Sequence, residues 1–247
     1  MKKSAWFASV VLALTALSFL LYFIQYYLFH RTEDTFFYML QDSAFLPVQV
    51  LLVTVILNAL LNKREKRSLL RKMNMVIGAF FSEVGLTLLH DFSRLDQNTE
   101  DLRSLFTAPD VWSDKALPQA KKAVMEHRYR IQAGPEDLEG LKRFCIEKRS
   151  FLVGLLENSN LLEHESFTEM LWAVFHLAEE LSLRTNISDL PPTDLAHLAG
   201  DMTRAYRRIV LEWIDYVGHL KKEYPYIFSL VQRMNPYNPD GSAVVRS

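Results

Sequence analysis

The chain has 247 residues, with 28 basic and 29 acidic side chains, a formal net charge of −1 and one cysteine. Such a length suits a membrane segment plus one domain of ordinary size. The lone thiol, Cys145, excludes an intrachain disulfide and a cysteine zinc cluster, and in "LKRFCIEKRSF" it reads as a small apolar core residue.

The charge is unevenly placed. Up to residue 72 the chain carries nine bases and four acids, and the remainder carries 19 bases and 25 acids. An acidic remainder repels phosphate backbones, so no nucleic-acid partner is expected there.

Ser4 to Phe29 is free of charge, 26 residues in all. As a helix it covers roughly 39 Å, enough for a hydrocarbon core of about 30 Å. A signal-peptide core is normally about 7–15 residues, and no small-x-small cleavage site ends this run, so an uncleaved span is expected. Ser43 to Asn62 is a second uncharged run, of 20 residues. Pro47 falls in its first turn or so, where a missing N–H costs least. Residues 1–62 are thus expected to form a transmembrane hairpin, with spans at about 4–29 and 43–62 and a short outer loop at 30–42.

Orientation follows from the flanks. The loop "HRTEDTFFYMLQD" holds one firm base and three acids, whereas Lys2–Lys3 and the cluster Lys63, Arg64, Lys66, Arg67, Arg71 and Lys72 are basic. Basic flanks stay cytoplasmic. Both termini are therefore expected inside, at a cell inner (plasma) membrane. The absence of eukaryotic targeting features points to a bacterial source. The cluster is expected to anchor at anionic lipid headgroups. Within the hairpin, Ser9 and Ala13 belong to a small-residue stripe that faces Asn58 in an antiparallel register. The same stripe offers a route to a homo-oligomer.

Residues 63–92 are expected to continue as a basic juxtamembrane helix, because Met73, Ile77, Phe80, Val84 and Leu88 recur at spacings of three and four. Residues 93–234 read as an all-α cytoplasmic domain. A short helix is expected near 98–106, another over 114–132, and a third from Pro135 to about Glu157, with Glu136 and Asp137 complementing its N-terminal dipole. Phe167, Met170, Leu171, Val174, Phe175, Ala178 and Leu181 mark the next. From Thr193 one helix of about 40 residues is expected, with a kink at Pro225. Residues 235–247, "NPYNPDGSAVVRS", read as a disordered tail. The fold class is all-α: a two-span transmembrane hairpin followed by a bundle of four to six helices with a long final helix.

Neither a phosphate-binding glycine loop nor a GxSxG nucleophile occurs. No cofactor is assigned, and the enzyme reading leans to no. Two histidine–carboxylate pairs stand out at helical i, i+4 spacing: His176 with Glu180, and His197 with Asp201. They lack the Glu-x-x-His pattern of di-iron bundles, and a histidine on a helix flank is more often hydrogen-bonded structure than a ligand. They count as a metal site only if the fold brings both pairs to one point. His127 and His219, set among charges, read as surface. The leading functional reading is a membrane-anchored binding or scaffold protein whose cytoplasmic domain docks a protein partner; Trp213 and Tyr224 are contact candidates, although such aromatics on a helix are more often core. A sensor coupling the hairpin to the juxtamembrane helix, and a metal-binding bundle or enzyme, are the alternatives.

Overall fold

The computed structural model describes the backbone of residues 2–30, 32–108, 110–158, 161 and 164–245; within these, the side chains of 2–8, 10, 29, 32, 35 and 66–72 lie outside the described set. The described residues are mostly helical, with no β-strand among them and one isolated bridge between Asp96 and Ile131. The chain divides into two compact units, Met1–Arg67 and Ser68–Ser247.

In the first unit, α1 (Lys2–Phe29) ends where the His30 amide bonds to the Tyr26 carbonyl. His30 itself sits at φ 50, the left-handed conformation that terminates many helices. Helix α2 (Thr32–Phe80) starts almost at once and carries residues of both units. The expected loop over 30–42 is therefore mostly helix. Glu33 and Asp34 fall in the first turn of α2, where carboxylates stabilise the positive end of the helix dipole. Acids that look like loop residues by charge alone serve here as the start of a helix.

The second unit contains the end of α2 and seven further helices among the described residues. The helix expected over 63–92 is interrupted by a π-helical turn, Phe81–Gly85, before α3 (Leu86–Leu95). Gly85 makes the turn feasible. A Cβ there would lie 2.5 Å from the Phe81 ring and 2.9 Å from the Phe80 ring. Both rings are core residues and stack edge-to-face with each other.

Helix α4 (Thr99–Thr107) and α5 (Leu117–Glu126) follow. The helix expected over 114–132 stops at Glu126, because His127 turns inward and Ile131 bridges to Asp96. Helix α6 (Pro135–Leu156) begins with Pro135 in its first turn, and the Asp137 carboxylate accepts from the Gly134 amide at 3.0 Å.

Helix α7 (Glu165–Leu183) and α8 (Pro192–Glu223) form the centre, with α6 against α7 and with α3, α5 and α9 against α8. The interior of α8 is apolar on most sides, including Met202, Tyr206, Ile209, Trp213 and Val217, as a helix packed on several faces must be. The single long final helix is in fact two. It breaks at Tyr224, and α9 (Pro225–Arg233) starts on Pro225, whose missing N–H cannot continue the helical ladder.

The tail is also not free over its first residues. Asn235 and Tyr237 are buried. The Asn235 amide donates to the Phe106 carbonyl at 3.0 Å, and the Tyr237 hydroxyl donates to that of Tyr206 at 3.0 Å. An aromatic cluster of Phe106, Trp112, Trp213 and Tyr237 closes over them. Burial of the Tyr237 ring and satisfaction of the Asn235 amide outweigh the ordering cost that a polar sequence implies.

Candidate functional site

Two features stand apart from the core. The first is apolar exposure in the first unit. None of the described residues from Ser9 to Glu65 is buried. Two stretches here are long and apolar enough to cross a membrane, Val11–Leu28 and the 30 residues Phe36–Glu65. A third stretch, Met73–Leu95, meets the same criterion, but 44% of the 18-residue apolar window in it is buried within the protein, and it supplies core residues such as Phe80, Leu88 and Phe92. Ser9, Ala13 and Asn58 are all exposed. Of the basic cluster, Lys63 and Arg64 are exposed, and the side chains of Lys66, Arg67, Arg71 and Lys72 lie outside the described residues.

The second feature lies between α7 and α8. The two histidine–carboxylate pairs meet. The Nε2 of His176 is 3.4 Å from Oδ2 of Asp201 and 3.9 Å from Oε1 of Glu180. The Nε2 of His197 is 3.3 Å from the same Asp201 oxygen and 3.6 Å from Oε2 of Glu180. One ligand atom each from Glu180, His197 and Asp201 falls within a 4.8 Å group. The i, i+4 spacing puts each pair on one helix face, and the packing of α7 on α8 turns the two faces together.

The environment of the four is graded. The side chain of Asp201 is 2% exposed, and the two imidazoles are about half exposed, at 47% and 50%. Each carboxylate gives one oxygen to an arginine. Arg204 reaches Oδ1 of Asp201 at 2.8 Å, and Arg184 reaches Oε2 of Glu180 at 2.8 Å. Arg184 also grips Asp194 through both its oxygens at 2.7 Å, tying the end of α7 to the start of α8. The Arg184 hydrogen bonds hold the carboxyls of Glu180 and Asp194 below their usual range. The remaining Asp201 oxygen, Oδ2, is buried and accepts no hydrogen bond from the described residues.

Other histidines fall elsewhere. His127, expected on the surface, is buried and bonds Asp96 at 2.7 Å. His219, also expected on the surface, is partly buried, with its Nδ1 3.3 Å from the Asn74 amide. His164 caps α7, its Nδ1 accepting from the Phe167 amide. Of the two aromatics weighed as core or contact, Trp213 is fully buried and Tyr224 is 37% exposed. Sequence spacing found the four residues between α7 and α8 but not their convergence, and it missed the Asp96–His127 pair because 31 positions separate the two.

Comparison with known proteins places the chain. Residues 69–233 match the model for the C-terminal helical domain of the uncharacterized protein MJ1433, and residues 2–61 match its N-terminal helical domain. The chain belongs to the MJ1433 family. A relative, the uncharacterized protein MJ1433 of Methanocaldococcus jannaschii, is 40% identical over 238 residues, covering 96% of each chain. The MJ1433 domain division, with one helical domain ending at 61 and the next starting at 69, brackets the unit boundary at Arg67. No solved structure gives a significant match.

Proposed function

We propose that this protein is a membrane-anchored helical binding protein. In this reading α1 and the first part of α2 sit in the bilayer, both termini are cytoplasmic, and the second unit docks a protein partner at the membrane face. One observation carries the reading: two long apolar stretches contain no buried residue among those described from Ser9 to Glu65. Exposing that much apolar surface to water is strongly unfavourable at about 25 cal/mol per Å², and apolar patches of this size mark a membrane or partner surface. The basic cluster from Lys63 to Lys72 supports cytoplasmic placement of the second unit next to anionic headgroups. Tyr226, 73% exposed, and Leu230, 43% exposed, on α9 support a docking surface there.

Alkaline carbonate extraction of membranes from expressing cells tests the anchor. The chain is expected to remain with the lipid, and release into the supernatant overturns the reading. For orientation, a cysteine is introduced in place of His30 or of Asp240, in a Cys145→Ala background. Impermeant maleimide on intact cells should label the first and not the second. The reverse pattern overturns the stated topology. Crosslinking in the native membrane, compared between the parent and a Tyr226→Ser/Leu230→Ser variant, tests docking through α9; an unchanged set of crosslinked proteins removes that surface.

A further inference from the structure

We propose that Glu180, His197 and Asp201, with His176 turned toward the same Asp201 oxygen, hold a single divalent transition-metal ion in the cleft between α7 and α8. The inference stands apart from the membrane reading and uses different residues.

Three observations carry it. The first is separation. Donors held by a tetrahedral ion at about 2.1 Å lie roughly 3.4 Å apart. The two imidazole nitrogens lie 3.4 and 3.3 Å from the one oxygen Oδ2 of Asp201, and Glu180 faces His197 through Oε2 at 3.6 Å and His176 through Oε1 at 3.9 Å. Direct charge-assisted hydrogen bonds are shorter, about 2.7–2.9 Å, and the same chain makes such bonds where it uses them, at 2.7 Å between His127 and Asp96. The spacing between α7 and α8 is that of two ligands on one ion.

The second is the orphan oxygen. Oδ2 of Asp201 is buried, accepts no hydrogen bond from the described residues, and is the atom nearest both imidazoles. A buried carboxylate oxygen that accepts no hydrogen bond is costly, and the two imidazole nitrogens stand off at 3.3 and 3.4 Å. A cation at the point facing His176 and His197 removes that cost. This oxygen sits on a side chain that is 2% exposed, so bulk water does not supply the missing interaction.

The third is the outer support. Arg204 holds Oδ1 of Asp201, and Arg184 holds Oε2 of Glu180. Asp201 is thereby oriented with Oδ2 turned toward both histidines, and Glu180 with Oε1 toward His176 while Oε2, shared with Arg184, faces His197. Partners of this kind fix ligand orientation in metal sites. They also lower the negative charge of the pocket, which disfavours hard cations that depend on charge alone.

The donor set selects the class of ion. Two imidazole nitrogens and two carboxylate oxygens suit zinc, iron(II), manganese(II) or cobalt(II), and disfavour magnesium and calcium, which take oxygen ligands. With the imidazoles half exposed, the ion sits at the mouth of the cleft, open to solvent on one side.

The test uses the full-length chain in detergent, stripped with a chelator and dialysed against zinc, iron(II) under anaerobic conditions, manganese(II), cobalt(II) or magnesium alone. Metal content and affinity are measured for the parent, a His176→Gln/His197→Gln double variant and a control, His90→Gln, at an exposed histidine of α3. His176 and His197 are exposed, so the double variant keeps its helical circular dichroism. The expected result is one equivalent of at least one of the four transition ions per chain, an affinity loss of about 100-fold or more in the double variant, and no change in the control. Cobalt(II) should add visible absorption bands that the double variant lacks. No stoichiometric ion, equal binding by parent and double variant, or binding of magnesium alone overturns the proposal.

Discussion

The imidazole of His127 and the carboxylate of Asp96 meet at 2.7 Å with side-chain exposures of 2% and 0%. The other carboxylate oxygen accepts from the backbone amides of Asn98 and Arg130 at 3.1 and 2.9 Å. One aspartate thus ties the end of α3 to the start of α4 and to the strand-like segment after α5. The His127 ring stands edge-on to Tyr129, and Tyr129 to Tyr206, so the tie continues into α8.

Removing one member leaves the other buried without its partner. Asp96→Ala is therefore expected to lower stability by about 3–5 kcal/mol, and His127→Ala by a similar amount. The double variant should cost clearly less than the sum of the two, because each single loss contains the same interaction. Thermal unfolding of the detergent-solubilised chain, followed by tryptophan fluorescence, measures all three. Additive losses would show that the two residues act independently.

The same pair shows why parts of the molecule were legible and parts were not. Long uncharged runs, the apolar stripe of α7 and the Gly134–Pro135 start of α6 are local patterns, and a sequence displays them directly. His127 looks solvated because its neighbours Glu126, Arg128 and Arg130 are charged; its burial depends on Asp96, far away in the chain. The residues from Asn235 to Tyr237 look disordered because their own composition is polar; their burial depends on Phe106 and Tyr206. His176 with Glu180 and His197 with Asp201 were visible as two pairs. Their meeting is set by the register of α7 on α8, which no spacing within either helix encodes.

The tail should therefore matter to stability. Tyr237→Phe removes only the hydroxyl bond to Tyr206 and is expected to cost about 1 kcal/mol. Tyr237→Ala empties a site beside Phe106 and Trp213 and is expected to cost about 3–5 kcal/mol. Truncation after Met234 should match or exceed the alanine variant. An unchanged melting temperature on truncation would show that the tail does not pack on the core.

Glycine positions separate fit from flexibility. Gly85 has no room for a methyl group, with ring carbons of Phe81 and Phe80 within 2.9 Å of the Cβ position. Gly85→Ala should lose about 1–3 kcal/mol through forced ring movement. Gly140, inside α6, has nothing within 4 Å of its Cβ position. Gly140→Ala should gain roughly 0.5–1 kcal/mol by lowering the freedom of the unfolded chain. Opposite signs in paired melting curves are the expected outcome, and a gain at Gly85 would contradict the tight π-turn.

Alkaline pH tests the core through its ionisable groups. Burial pushes the Cys145 thiol up to about 12, and burial likewise raises the phenols of Tyr129, Tyr206 and Tyr237 above their ordinary range. Each group holds its proton more tightly folded than unfolded. The folded state is then fully favoured below the unfolded pKa values, about 8.5 for a thiol and about 10 for a phenol, and loses stability as pH rises through and above them. Each buried group contributes a loss of up to about 1.4 kcal/mol per pH unit in that window. The melting temperature should be level from pH 7 to 8, decline from about pH 9 and fall steeply beyond about pH 10. Cys145→Ala should flatten the first part of the decline and leave the tyrosine-driven part in place. Because only the thiolate alkylates readily, iodoacetamide at pH 8 should label Cys145 at the rate at which the core opens, and urea should accelerate labelling in step with unfolding. Fast labelling in the absence of denaturant would place that thiol outside the core.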